Sequence, residues 1–332
     1  MICVRAPLRI GLFGGGTDIP DFFLERGGKA IGFTIESYIY IQAAEVEINQ
    51  GFKFRLSYRT NEEVNSAEDI IHPIFREVLK KYKFDNPYAF NTISNLPSGA
   101  GLGGSSSFTV GLLSLIHKIK GLNKKNLDLA KQAINIERVI LNEKGGWQDQ
   151  LHAAFGGMNV FNFSKSGNIS RTKLNPHPRV FDDLNNNMYL LYSGKMRVSH
   201  DIEASKIKTL NFGMLSELHD IANQAEDLLN KKDCTIQEIG KLLNDSWLIK
   251  RGLSNKVSDT EIDNIYNNIL NSGAYGAKLC GAGGGGFFLM FVEPKEQAPV
   301  RKVLFDLHEV EFNFWDRGSE ISFTDQAALI QS

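Results

Sequence analysis

Few of the features that staple, anchor or metallate a chain occur in these 332 residues. The three cysteines, Cys3, Cys234 and Cys280, are far apart and odd in number, which suits a reducing compartment and excludes a disulfide framework. Seven histidines form no HxxxH or HExxH pair, so no zinc site is expected. No apolar run reaches membrane-spanning length. The opening MICVRAPLRIGLFGGG lacks a charged start, a long apolar core and a cleavage site, so the expectation is no signal peptide and a cytoplasmic location. Neither sign of charge is in surplus: the formal net charge of -1 argues against a basic nucleic-acid face and a polybasic membrane anchor. The GxxxxGK[ST] loop is missing, which excludes a Walker-type phosphate site, and no internal repeat is visible.

What remains is an ordinary globular composition, 42% hydrophobic and 23% charged, in a chain long enough for two domains. Short β-branched or aromatic segments near 2–5, 8–13, 29–35, 38–46, 52–58 and 88–95 read as strands. Between the last two, Ile70, Ile71, Ile74, Phe75, Val78 and Leu79 repeat at helical spacing over 68–83. Helices are expected over about 105–119 and 124–142, and a strand over 157–163. The polar stretch 164–187 reads as a loop and marks the boundary between an N-terminal domain, 1–170, and a C-terminal domain, 185–332. Beyond it come a strand near 188–193, helices near 201–231, 235–250 and 259–271, and a strand at 287–292. A helix near 297–308 and strands near 310–316 and 320–323 close the chain. Strands and helices mix without strict alternation, which gives an α+β fold class.

Four segments carry chemistry. LPSGAGLGGSSSF, 96–108, removes side chains at Gly99, Gly101, Gly103 and Gly104 and then opens an apolar helix with Ser105, Ser106 and Ser107. Free N–H groups and the positive helix end favour an anion there, and serine hydroxyls add donors and a magnesium ligand. A flexible linker would not run straight into an apolar helix. Gly99-x-Gly101-x-x-Gly104 and Gly281-x-Gly283-x-x-Gly286 both fit the dinucleotide fingerprint, but neither has the strand–turn–helix context it needs. RAPLRIGLFGGGTDI, 5–19, brings Arg9 and Asp18 to a glycine turn. Arginine suits developing phosphoryl charge and aspartate suits paired sugar hydroxyls, while a tight turn with Asp18 capping the next segment fits equally. KLCGAGGGGFFLMF, 278–291, fits a backbone closing over the phosphate loop or a structural turn. In ERVILNEKGGWQDQLHAAFGG, 137–157, Glu137 suits magnesium and Asp149 suits proton acceptance, if both face inward. A solvated carboxylate and a helix cap are the alternatives.

In order and spacing these segments resemble the GHMP kinases. FGGGTD, LPSGAGLGGSSSFTVGLL, EKGGWQDQLHAAFGG and GAGGGGF, with Ser246-Trp247, Lys250 and Leu253-Ser254, are similar to the D-glycero-D-manno-heptose 7-phosphate kinases within that family. The resemblance implies a two-domain fold, with a left-handed β-α-β crossover in the N-terminal domain and a ferredoxin-like C-terminal domain. It implies a sugar kinase with ATP and magnesium, acting on the anomeric hydroxyl of a heptose 7-phosphate. It places Pro97, Ser98, Gly99, Ala100, Gly101, Leu102, Gly103, Gly104, Ser105, Ser106 and Ser107 around the ATP phosphates. Ser105 and Glu137 become the magnesium ligands, Asp149 the catalytic base, and Arg9 the cation at the transferring phosphate. Asp18, with Gly16 and Thr17, binds the sugar, and Gly283 and Gly284 close over it. Arg197 and Lys250 are the candidate cations for the sugar phosphate; solvated surface charges are the alternative. Galactokinases carry Glu-His where Gly15-Gly16 stand, and mevalonate kinases carry lysine where Arg9 stands. A fucokinase-like 1-kinase on an unphosphorylated sugar and a non-catalytic sugar and ATP sensor are the rival functions. The expected partners are small molecules, without nucleic acid or membrane, and a homodimer is compatible with them. Trp147 fits either a sugar-stacking or a core role.

Overall fold

The structure is a computed structural model that describes residues 1–46, 51–97, 99–123, 125–195, 202–203, 205 and 211–325. Two strands dominate it. β1 (Ile2–Phe13) and β2 (Gly28–Glu45) run antiparallel over almost their whole length, and β1 is buried on both faces. Each was expected as two strands, because Pro7 and the Glu36–Ser37 pair interrupt the β pattern. The pairing absorbs that interruption as a register shift, Pro7 facing Tyr38 and Leu8 facing Ile35.

β5 (Tyr88–Ser94) pairs with β2, and β3 (Phe54–Ser57) pairs in parallel with β5, with β4 (Asn61–Val64) at the edge. Helix α2 (Pro73–Lys81) provides the crossover between the parallel pair. Its buried Ile74, Phe75, Val78 and Leu79 are the apolar face read from the sequence. Beside it, α1 (Pro20–Arg26) follows the first glycine turn, and α3 (Gly104–Ile119) packs across β1 and β2. α4 (Asn126–Ile134) does not continue smoothly to residue 142. It widens into a π turn over Asn135–Ile140, a distortion that often marks a functional site and here carries Glu137.

After α5 (Gln148–Phe155), β6 (Asn159–Phe163) joins β2 and β7 (Ile169–Lys173) joins β6. The expected loop at 164–187 therefore holds a strand and helix α6 (Pro178–Asn187). The legible signal was Pro178 at the first helical position, with Val180, Leu184 and Asn187 buried on one face.

β8 (Met188–Tyr192), β9 (Gly276–Leu279), β10 (Phe287–Phe291) and β11 (His308–Val310) form a second sheet in the order β11-β8-β10-β9. Its helices are α7 (Phe212–Leu229), α8 (Ile236–Arg251), α9 (Thr260–Asn271) and α10 (Gln297–Val303). That strand order is ferredoxin-like. The chain then returns to the first sheet. β12 (Phe314–Trp315) pairs with β2, and β13 (Glu320–Thr324) pairs with the open side of β1. Residues at the end of the stretch assigned to a C-terminal domain are thus strands of the N-terminal sheet, because β1 has an edge for them to fill. Among the described residues, no helix is long and apolar enough to cross a membrane.

Candidate active site

β1 carries Arg9 into the interior beside the phosphate-loop sequence. The Arg9 main-chain N–H donates to Leu102 O at 3.0 Å, so the loop is fastened to the strand. Its guanidinium donates from Nε and Nη2 to the two Asp149 carboxylate oxygens, at 2.8 and 2.7 Å, and from Nη1 to Gly101 O at 2.7 Å. This two-pronged ion pair fixes Asp149, in the first turn of α5, at the mouth of the serine loop.

α3 begins after Gly103 in the left-handed conformation, φ 75°, with no side chain capping it. The free N–H groups of its first turn meet the same cleft, lined by Gly101, Gly103, Gly104, Ser105 and Ser106.

Asp18 does not cap the residues directly after it. Its carboxylate accepts from Gly16 N at 2.9 Å and from Gln148 N at 3.0 Å, so it caps α5 across the molecule. A Cβ at Gly146 would lie 1.9 Å from Asp18 Oδ2, which is why this loop needs glycine there.

The two aspartates are pushed apart electrically. Burial alone would raise Asp149, but the Arg9 charge and hydrogen bonds override it, with Arg138 adding to them, and hold the carboxyl below the usual range. Burial raises Asp18 despite the N–H groups of Gln148 and Gly16, and the Asp149 charge adds to the rise.

Glu137, almost fully buried, accepts through Oε2 from Ser106 Oγ at 2.9 Å and Gln150 Nε2 at 2.8 Å. Its other oxygen, Oε1, has no protein partner although it is buried. An orphaned carboxylate oxygen beside a serine hydroxyl, at the foot of an anion-binding helix, fits a hard divalent cation. Among the described residues no cluster of three or more His, Cys, Asp or Glu could hold a metal alone. Magnesium takes one or two protein oxygens and completes its shell with phosphate and water.

The cleft gathers Arg9, Gly16, Asp18, Gly99, Gly101, Gly103, Gly104, Ser105, Ser106, Glu137, Asp149 and Lys250 from the sequence-derived set. Others are elsewhere. The Thr17 hydroxyl is spent on Gly14 O and Lys29 O, so it holds the turn rather than a sugar. Ser107 donates to Pro7 O at 2.7 Å and fastens α3 to β1. Ala100 and Leu102 are buried, and Pro97 is exposed outside the cleft lining. Ser106, not Ser105, meets Glu137, because at helical spacing Ser106 turns inward and leaves Ser105 exposed.

Gly283 and Gly284 pack against Val257 and Ile202, while Gly281 and Ala282 are the members of that turn at the cleft. The turn does close on the phosphate loop: Phe287 N donates to Ala100 O at 3.2 Å. Lys250 is buried, with its ammonium on the Leu279 and Gly281 carbonyls. Ser98 and Arg197 lie outside the described residues. Trp147 is core, edge-on to Phe23 at 4.8 Å.

Sequence reasoning passed over Arg138, Gln148 and Lys278, which also line the cleft. Lys278 was the most visible of them, a lone cation in the apolar strand GAKL. Its ammonium donates to Gly11 O and Leu12 O, and burial pushes its pKa down to about 8.

The geometry agrees with what the chain resembles. Residues 69–157 match the GHMP kinases N terminal domain and 227–304 the GHMP kinases C terminal domain. The D-glycero-alpha-D-manno-heptose 7-phosphate kinase of Campylobacter jejuni is 31% identical over 319 residues, 91% of this chain and 93% of that protein. The chain belongs to the GHMP kinase family. Among solved structures, a D-glycero-D-manno-heptose 1-phosphate kinase from Bacteroides thetaiotaomicron superposes with a TM-score of 0.80 at 22% identity, covering 98% of this chain and 100% of that one. A putative sugar kinase from Campylobacter jejuni gives a TM-score of 0.76 at 27% identity, covering 96% and 97%. This GHMP kinase is accordingly an ATP-dependent phosphotransferase acting on a sugar hydroxyl.

Proposed function

We propose that the acceptor is D-glycero-D-manno-heptose 7-phosphate and that the product is its 1,7-bisphosphate, an intermediate toward nucleotide-activated heptose for surface polysaccharide. The reading rests on one observation above others: Asp149 is clamped by Arg9, which also holds Gly101 of the phosphate loop. A hydroxyl seated on Asp149 therefore lies beside the phosphate loop. The heptose part is supported by the name of the Campylobacter jejuni relative and by the Gly15-Gly16 turn, where galactokinases carry Glu-His.

Asp149, ionised, accepts a hydrogen bond from the anomeric hydroxyl and aims its oxygen at the γ-phosphorus. The new P–O bond forms as the bond to the ADP oxygen breaks, and the hydroxyl proton passes to Asp149 and then to solvent. Asp18 faces the same space with Gly16 and is the residue for the neighbouring sugar hydroxyls. Of the two cations weighed for the 7-phosphate, Lys250 lines the cleft, where two of its three ammonium N–H groups point to main-chain carbonyls. Magnesium, when bound, neutralises charge on the β- and γ-phosphate oxygens. Glu137 and Ser106 are the residues for it, with Ser105 at the cleft mouth.

The deciding assay supplies heptose 7-phosphate, ATP and magnesium and reads the phosphorylated position by NMR. The expected product is phosphorylated at carbon 1. Faster turnover of an unphosphorylated sugar, such as L-fucose, replaces this reading with the 1-kinase one. Glu137→Gln keeps the side chain's shape and removes its charge. It should weaken binding of Mn²⁺, read by electron paramagnetic resonance, by about 10-fold or more. Unchanged Mn²⁺ affinity would remove Glu137 from the metal site.

A further inference from the structure

Five N–H groups are available on an arginine, and Arg9 commits most of them to protein oxygens: two prongs on Asp149 and one on Gly101. Its main role is to hold and orient the base. The charge developing on the transferring phosphoryl group then needs another donor. Arg138 lines the same cleft as Glu137 and Asp149. It follows Glu137 in the π turn, and its Nη1 lies 3.5 Å from Glu137 Oε2 and 3.7 Å from Glu143 Oε2, beyond good hydrogen-bond geometry. Its one hydrogen bond among the described residues runs from Nε to Gly146 O, at 3.2 Å. The guanidinium lies flat against Gly145, where a Cβ would sit 3.3 Å from Cζ and from Nη2. It lines the cleft together with Asp149, Ser106 and Lys144, and its side chain is 15% exposed.

We propose that Arg138 is a catalytic residue of the transfer step, donating from its Nη groups to the oxygens of the phosphoryl group as it passes from ADP to the acceptor. Three points carry it. The Nη groups are held by a Nε anchor and, among the described residues, engage only in the long ion pairs with Glu137 and Glu143. They belong to the wall of the same cleft as the candidate metal carboxylate and the base. Glycine at 145 has no side chain to displace the guanidinium from the cleft wall. Lys144 is a poorer candidate, being exposed and turned to Asn142 Oδ1 at 3.0 Å. Lys278 and Lys250 each direct two of their three ammonium N–H groups to main-chain carbonyls. A donor that matters only when charge has spread over the phosphoryl oxygens acts on turnover rather than on ground-state binding.

The inference rests on phosphoryl transfer at this cleft but not on heptose as the acceptor. The test therefore uses whichever sugar the wild-type protein turns over best. Arg138→Met should lower kcat about 10²–10³-fold, the range for losing one preorganised donor, while KM for ATP and sugar stay within about threefold. Binding of ADP with aluminium fluoride should weaken about 100-fold, and binding of ADP alone should not change. Added guanidinium should restore part of the turnover of Arg138→Ala. If the methionine variant unfolds, Arg138→Lys takes its place, with an intermediate loss expected. A kcat within a factor of about three of wild type, or equal weakening of ADP and ADP–aluminium fluoride, overturns the assignment. A wild-type protein inactive on every sugar would condemn the proposed function, whereas an active wild type matched by Arg138→Met would condemn Arg138 alone.

Discussion

Asp149→Asn should lose about 10²–10⁴-fold in turnover, the range for removing a positioned acid–base group, with the KM for ATP little changed. Asparagine removes the counter-charge of buried Arg9 too, but its amide oxygen still accepts one of the two prongs, so it disturbs the fold less than alanine. Leaving that charge without a partner costs about 3–5 kcal/mol, so Asp149→Ala mixes a folding defect with the catalytic one. The pH profile gives a second reading of the same group. Arg9 holds Asp149 below the usual carboxylate range, so it stays ionised as the solution is acidified. The acid limb it causes in kcat/KM should therefore lie below that range. A limb above it belongs to Asp18, whose burial moves it the other way. The stability contribution has the same sign. A depressed native value contributes stability above the unfolded-state value, and that contribution is lost as pH falls through the native one. The asparagine variant should lack this acid-dependent part in urea melts taken across the acid range. Turnover within a few-fold of wild type would take Asp149 out of the mechanism.

Gly286→Ala is expected to damage the phosphate loop from outside the cleft, through its backbone. Gly286 has φ +103°, and a Cβ there would lie 2.2 Å from Ala100 O, a main-chain atom of the phosphate loop. The dihedral alone costs about 1–3 kcal/mol. The collision cannot be relieved by a side-chain rotation, because the neighbour is backbone. Gly286 N also donates to Lys195 O at 3.0 Å, so the turn is held from its far side too. The loop must move, and a misplacement of about 1 Å costs roughly 10²-fold in kcat/KM. Steady-state kinetics with varied ATP, alongside a urea midpoint, reads both effects. Normal ATP kinetics in the variant would show that the third glycine turn does not support the phosphate loop.

The 96–108 glycine-serine loop was the most legible part of the site, because it runs straight into an apolar helix; the other two glycine turns fit structural turns equally well. Asp149 and Glu137 were legible too, since acidic residues beside a glycine break stand out in a helical stretch. Their partners were not. Nothing in the spacing told Ser105 from Ser106; the choice depends on which way α3 rotates against β1, and that is set by packing such as Ser107 on Pro7 O. The Asp18 cap on α5 joins residues 130 positions apart in sequence, beyond any local pattern. Lys250 was legible as a cation but not as one occupied by main-chain carbonyls. Strand β4, with the pattern NEEV, and β7, with ISRTK, were missed because polar, exposed strands carry no hydrophobic period. Helix α1 was missed because it has only seven residues, coming directly after a glycine turn.

β13 bears on how the protein is made. The strand that bears Arg9 has β2 on one side and, on the other, only residues 320–324. During synthesis the first lobe emerges early, yet β1 keeps the flank of residues 2–5 unpaired until residues 320–324 have left the ribosome. The second lobe, folding on its own sheet, must meanwhile leave residues 314–324 free to travel back. A ribosome stalled before residue 320 therefore holds a lobe with an open, aggregation-prone flank along residues 2–5.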